Sequence, residues 1–264
     1  MTTKRTFDWK PAFDERSKLY AIRPLLGTNP MRRAKFWDEG TVLDQGSEGA
    51  CVGFGWMAEI LAAPQQPDYQ PTEIFGNDLS RYFYREAQKI DEWPGEDYEG
   101  TSVLAGAKIM KEYGFISEYR WCFSVEDIID AVINQGPVVI GIPWYDSMYE
   151  TNTLGLTGVD GNKVGGHCIT ITGYDPSMVF GRQSLEVFKW RNSWGTDYGI
   201  NGSGYILVSD LRKLFEEGGE ACIPIVRHKP VLAMPPVSAY KASFFKMLIE
   251  KIIDWFKFRF TKWY

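Results

Sequence analysis

The stretch Leu43-Asp44-Gln45-Gly46-Ser47-Glu48-Gly49-Ala50-Cys51-Val52-Gly53-Phe54-Gly55-Trp56 constrains this chain most, because a glycine-punctuated loop runs through one Cys straight into an apolar segment. Gly46 and Gly49 suit a tight turn, and Val52, Trp56, Ile60 and Ala63 recur at helical spacing, so residues 52–63 read as a buried helix. Cys51 then stands at the helix N-terminus, where unpaired N–H groups and the helix dipole favour a thiolate. A small buried hydrophobe is the plainer reading of such a Cys. A nucleophile also needs a base.

The chain contains two histidines. His228 sits in Val226-Arg227-His228-Lys229-Pro230 and reads as a solvated loop residue. His167 follows a Gly pair and opens an alternating segment, with His167, Ile169 and Ile171 on one face of a strand. A structural His at a strand start and a general base both fit it. In Lys189-Trp190-Arg191-Asn192-Ser193-Trp194-Gly195, Asn192 ends a strand before a glycine-rich loop. An Asn oxygen there can accept an imidazole N–H and fix the ring, as the third group of a triad must. Trp194 is placed to shield that bond from water.

Gln45 through Cys51, the Gly166-His167 strand start, and Asn192-Ser193-Trp194-Gly195 followed by Gly204-Tyr205 resemble, in order, the three signature blocks of papain-like cysteine peptidases. The six-residue step from Gln45 to Cys51 matches as well. The resemblance implies Cys51 as nucleophile, His167 as general base and then acid, and Asn192 as its orienting partner. It implies an oxyanion hole built from the Gln45 side-chain amide and the Cys51 backbone N–H. It implies that Gly100 and Thr101 hold extended peptide, with Trp194 a further substrate contact, although the usual Gly-Gly is absent around 100–102. Secreted family members carry a Cys three residues before the nucleophile, where this chain has Glu48. Val52 and Cys168 also depart from the pattern.

The remaining sequence bounds what surrounds this site. With 44% apolar and 15% aromatic residues, the 264 residues support a sizeable core. A net charge of −5 lacks the basic footprint of a nucleic-acid binder. The first ten residues hold no signal-like apolar run, and no stretch is long and uncharged enough to span a bilayer. Cys51, Cys122, Cys168 and Cys222 form no close pairs, so neither a disulfide framework nor a metal site is expected. No cofactor is required, and a cytoplasmic location is expected.

Residues 1–42 read as an arm packed over the domain, with active-site blockage as an alternative. The acidic run Asp91-Glu92-Trp93-Pro94-Gly95-Glu96-Asp97 reads as a solvated loop or as a selector of basic peptides. Helices are expected near residues 79–89, 101–113 and 124–134. Strands follow at 138–142, 168–174, 185–191 and 205–209. A helical half bearing Cys51 and a sheet half bearing His167 and Asn192 match the two-lobed α+β plan of the resembled family, over residues 43–229. Residues 230–264 form a proline-rich linker and a basic amphipathic helix. Residues 241–264 carry six basic and two acidic residues, which leaves −9 on the rest of the chain. That helix packs on the protein's own core, docks a partner or assembly, or, less favourably, lies on a membrane surface.

These features together lead to a cysteine endopeptidase acting on peptide or protein substrates. Short forms of this type resemble bacterial and bacteriophage relatives, which makes a virion component an alternative location. The competing readings are an inactive papain-like assembly module and a Cys-His amidase or acyltransferase acting on cell-wall peptides.

Overall fold

The computed structural model describes residues 5–27, 32–93, 95, 98–228, 230 and 232. The expected C-terminal helix lies outside the described residues, in a separate unit spanning Val231–Tyr264.

Helix α1 (Cys51–Leu61) is buried on every side, which is why its apolar residues run around the whole helix rather than along one stripe. Two further helices pack near it, α2 (Glu73–Gln88) and α3 (Val103–Glu112). Thr72 and Ser102 cap them, each side chain accepting a backbone N–H three residues on. Gly53 lets α1 and α2 approach closely: a Cβ there would overlap the Ser80 carbonyl and crowd Tyr84.

The second lobe is a largely antiparallel sheet. Its strands are β1 (Lys35–Phe36), β2 (Ile116–Cys122), β3 (Val138–Tyr145), β4 (Leu156–Thr157), β5 (Lys163–Phe180), β6 (Gln183–Arg191), β7 (Ser203–Leu207) and β8 (Glu220–Arg227). They are ordered β2-β8-β3-β5-β6-β7-β4, with β1 added to β5. Helix α4 (Val125–Asn134), capped by Ser124, and helix α5 (Val208–Glu216) cover it. Ile128, Val132, Leu211 and Leu214 meet Ile140, Ile171 and Trp190 in its core.

Among the described residues, the expected helices and strands form, with shifted ends. The final expected strand stops at Leu207, and Val208 onward turns into α5 instead; Val208, Leu211 and Leu214 are buried at helical spacing. Strands β2 and β8 had no clean alternation to read, since Pro224 and charged residues interrupt them and their pairing carries register shifts.

Two buried carboxylates, Glu59 and Glu39, tie the layers together through ion pairs. Glu59 of α1 meets Arg227 of β8 at 2.9 Å. Glu39 contacts Lys189 at 2.8 Å and Arg191 at 3.0 Å, and accepts hydrogen bonds from Thr172 and Ser203. That cluster fixes the chain ahead of α1 to β5, β6 and β7.

Candidate active site

Gly46, with φ of +64°, makes the turn that the loop before α1 requires. Cys51 follows as the first residue of α1, and no side chain caps that helix end. Its N-terminal N–H groups therefore remain for the site. The loop is held by Glu48, which pairs with Arg81 at 3.0 Å and Arg85 at 3.1 Å. The tie is non-covalent, and all four cysteines are free.

His167 lies on β5, whose pairing with β3 places it opposite Ile142. Its Nε2 is 2.8 Å from Asn192 Oδ1. That same oxygen accepts the Ser193 backbone N–H at 2.7 Å, which identifies it as the oxygen, because a backbone amide only donates. Nε2 must then carry the ring proton. Nδ1 is left with a bare lone pair and no hydrogen-bond partner among the described residues. Trp194 stacks on the imidazole at 4.8 Å, and the Trp144 ring approaches it edge-on at 4.7 Å. The Asn192–His167 bond is thus kept from water, with Trp194 as cover.

The Cys51 sulfur reaches the backbone N–H of Cys168, the residue after His167, so the helix start and the strand meet. The thiol does not behave as the helix end alone suggests. Burial pushes it up to about 12, outweighing the N–H groups of Cys168 and Trp9 that favour the thiolate. Burial also pushes His167 down to about 4, against the raising effect of Asn192. Both side chains are fully buried, so desolvation disfavours the thiolate and the imidazolium alike, in the direction opposite to the lowered thiol expected from the helix end.

Gln45 is oriented by a residue the sequence did not single out. Ser193 Oγ donates to Gln45 Oε1 at 2.5 Å. Nε2 then points to two carbonyls, Glu48 at 2.8 Å and Thr6 at 3.3 Å.

Of the residues expected to hold peptide, Thr101 presents a backbone edge: its N–H donates to the Asp8 carbonyl at 3.2 Å and its carbonyl accepts from Lys10 at 3.1 Å. Gly100 does not, because its N–H is taken by the Tyr84 hydroxyl and its carbonyl by Gln88. Asp91 and Glu92 brace this edge through Thr101 Oγ1 and Ser102 Oγ, at 2.7 and 3.1 Å. Gly166 adds a second backbone acceptor, used by the N–H groups of Asp8 and Trp9. Glu220, also unforeseen, accepts from the Trp9 indole at 2.8 Å.

Comparison with known proteins agrees with this layout. A model of the papain family cysteine proteases matches residues 77–221, more than half of the chain. The chain belongs to the papain family. That match includes His167 and Asn192 and begins after Cys51. An uncharacterized peptidase C1-like protein of Acanthamoeba polyphaga mimivirus is 18% identical over 207 residues, covering 61% of this chain and 62% of the relative. Xylellain, a cysteine protease from Xylella fastidiosa, superposes with a TM-score of 0.57 at 18% identity, over 86% of this chain and 100% of that one. The procathepsin B S9 of Trypanosoma congolense gives 0.54 at 14% identity, over 86% and 85%. This papain-family chain therefore has the two-lobed α+β fold anticipated for it. Among the described residues, no helix is long and apolar enough to cross a membrane.

Proposed function

We propose that this chain is a cysteine peptidase that hydrolyses peptide bonds through a thioester on Cys51. The observation that carries the reading is the fixed tautomer of His167. Asn192 Oδ1 holds the proton on Nε2 and leaves the Nδ1 lone pair free, which is the state a general base requires.

In the first step the Cys51 S–H proton passes to His167 Nδ1 while sulfur bonds to the peptide carbonyl carbon. The carbonyl electron pair moves onto oxygen, where the Gln45 amide and the Cys51 backbone N–H stabilise it. The tetrahedral intermediate collapses, the C–N bond breaks, and His167 gives its proton to the leaving amine. Water then enters. His167 Nδ1 takes one of its protons as the hydroxide oxygen attacks the thioester carbon, and the second collapse returns the proton to sulfur and releases a carboxylic acid. Ser193 keeps the Gln45 amide turned toward the carbonyl oxygen, and Thr101 and Gly166 hold the substrate backbone.

The test is product analysis. A mixture of unmodified peptides is incubated with the full chain, and new amino and carboxyl termini are read by mass spectrometry. Hydrolysed termini that vanish in Cys51→Ala and in His167→Ala are expected. The same termini from Cys51→Ala, or a transferred acyl group in place of a free carboxylate, would refute the reading.

A further inference from the structure

Cys168, where this chain departs from the family pattern, lies at the meeting of the Cys51 helix and the His167 strand. Along β5 residues two apart share a face, so Cys168 and Thr170 look to one side while His167, Ile169 and Ile171 look to the other. Ile169 and Ile171 join the core of the second lobe. Cys168 and Thr170 face α1 instead, and both are fully buried there.

Three contacts join the two elements. The Cys51 sulfur reaches the Cys168 N–H. Thr170 Oγ1 donates to the Gly55 carbonyl at 2.6 Å, inside the protein. That carbonyl can take the hydroxyl as well as its helical N–H, because a carbonyl oxygen has two lone pairs. Gly55 itself stands within α1. A Cβ on it would come to 2.8 Å from Cys168 Sγ, and no nearer than 3.7 Å to the β5 backbone, so the missing side chain makes room for that sulfur alone.

The spacing of these contacts makes them act together. Cys51 and Gly55 lie one helical turn apart, about 6 Å along α1 at ~1.5 Å per residue. Cys168 and Thr170 lie two residues apart, about 7 Å along β5 at ~3.4 Å per residue. The two steps agree to about 1 Å, so the helix is fastened to the strand at both ends of one turn. A single fastening would leave α1 free to slide or tilt against β5; two remove both movements. The first is at Cys51 itself and beside His167. The second involves neither of them, nor any residue expected to hold peptide.

We propose that Thr170 is a positioning residue for the Cys51–His167 pair: its hydroxyl pins α1 to β5 one turn beyond Cys51, and Gly55 leaves the room Cys168 needs for that approach. The proposal deepens the peptidase reading and rests on it for its consequence, but not for its test. Proton transfer between two side chains depends on their separation, and a misplacement of about 1 Å can cost about 10²-fold in rate. Thr170→Val keeps the branched shape that suits a strand and removes only the hydroxyl.

The test is a double-mutant cycle on the alkylation of Cys51 by iodoacetamide at neutral pH, located by peptide mapping in the full chain. It reads the help that His167 gives the thiol whether or not any peptide is cleaved, and differences in access to the sulfur cancel around the cycle. His167→Ala should slow alkylation at least about tenfold in the parent chain, and less than about threefold in the Thr170→Val background. Thr170→Ser, which returns the hydroxyl, should return the full dependence. Gly55→Ala should weaken it as Thr170→Val does, and adding Cys168→Ala should bring it back, since that sulfur is what the new methyl group meets. With a peptide substrate, Thr170→Val should lower kcat about tenfold and leave KM unchanged. A merely structural role would lower the folded fraction and leave the His167 dependence of the folded molecules intact. The full dependence persisting in folded Thr170→Val would overturn the proposal and leave the Cys–His pair standing. No His167 dependence in the parent chain would overturn both. Dependence lost in Thr170→Val, with no peptide cleaved by the parent, would support the proposal and count against the peptidase reading.

Discussion

Replacing Glu220 by Gln should change how stability depends on pH without moving any other group. The carboxyl lies under the Trp9 indole, and burial pushes it up from 4.5 to about 7, against the lowering effect of the indole N–H. Between pH about 4.5 and 7 the folded chain therefore keeps a proton that the unfolded chain has released, so raising the pH through this window destabilises the fold. His167 works in the opposite sense. Its value falls from 6.5 to about 4 in the folded chain, so the stability it contributes is present above pH 6.5 and is lost as the pH falls through 4. In the parent chain the two contributions oppose each other over most of the range. At full strength the Glu220 shift corresponds to about 3 kcal/mol, and because the residue keeps some surface in water, screening reduces this to ~2. Gln retains an oxygen for the Trp9 N–H and has nothing to titrate. Urea unfolding followed by tryptophan fluorescence at pH 4.5 to 7.5 should show the variant gaining ~2 kcal/mol on the parent between the two ends. A difference constant to within about 0.5 kcal/mol would refute the reasoning, whichever protein is the more stable.

Two further perturbations address the fold and the chemistry separately. Glu39→Ala strands Arg191, which is 6% exposed, together with Lys189, and should cost about 3–5 kcal/mol in urea unfolding; a loss under about 1 kcal/mol would show that the cluster is not a buried charge network. Ser193→Ala removes the hydroxyl that turns the Gln45 amide, and should lower kcat about tenfold with KM unchanged, since an oxyanion donor acts in the transition state. An unchanged kcat would show that the Glu48 carbonyl alone suffices to orient Gln45.

Much of the site was legible because its parts are local. A glycine turn that opens an apolar helix specifies where Cys51 stands, whatever packs around it. An alternating strand entered through Gly165 and Gly166 specifies where His167 stands, and a strand end before a glycine loop does the same for Asn192. The caps at Ser102 and Ser124 are local in the same sense, since each hydroxyl bonds an N–H only three residues away. Residues 208 and 209 misled because Val208 continues the β-branched character of β7, while the helical spacing of Leu211 and Leu214 becomes decisive only once the sheet is there to bury them.

What the sequence left open are relationships across long separations. Ser193 and Gln45 stand 148 positions apart, and Trp9 and Glu220 211 apart; no periodicity links such pairs. Residues 5–10 have no pattern of their own, so that an arm exists could be read but its path could not. The path is set by Gly166, Thr101 and the Gln45 amide, which become neighbours only when the two lobes close on each other. The thiol illustrates the same division. Its place at a helix N-terminus follows from the local sequence and favours the anion, whereas its burial follows from the tertiary packing around it and favours the neutral form. Desolvation outweighs the helix end here because a buried charge loses all its water, while the partial charges of a few N–H groups return only part of that loss.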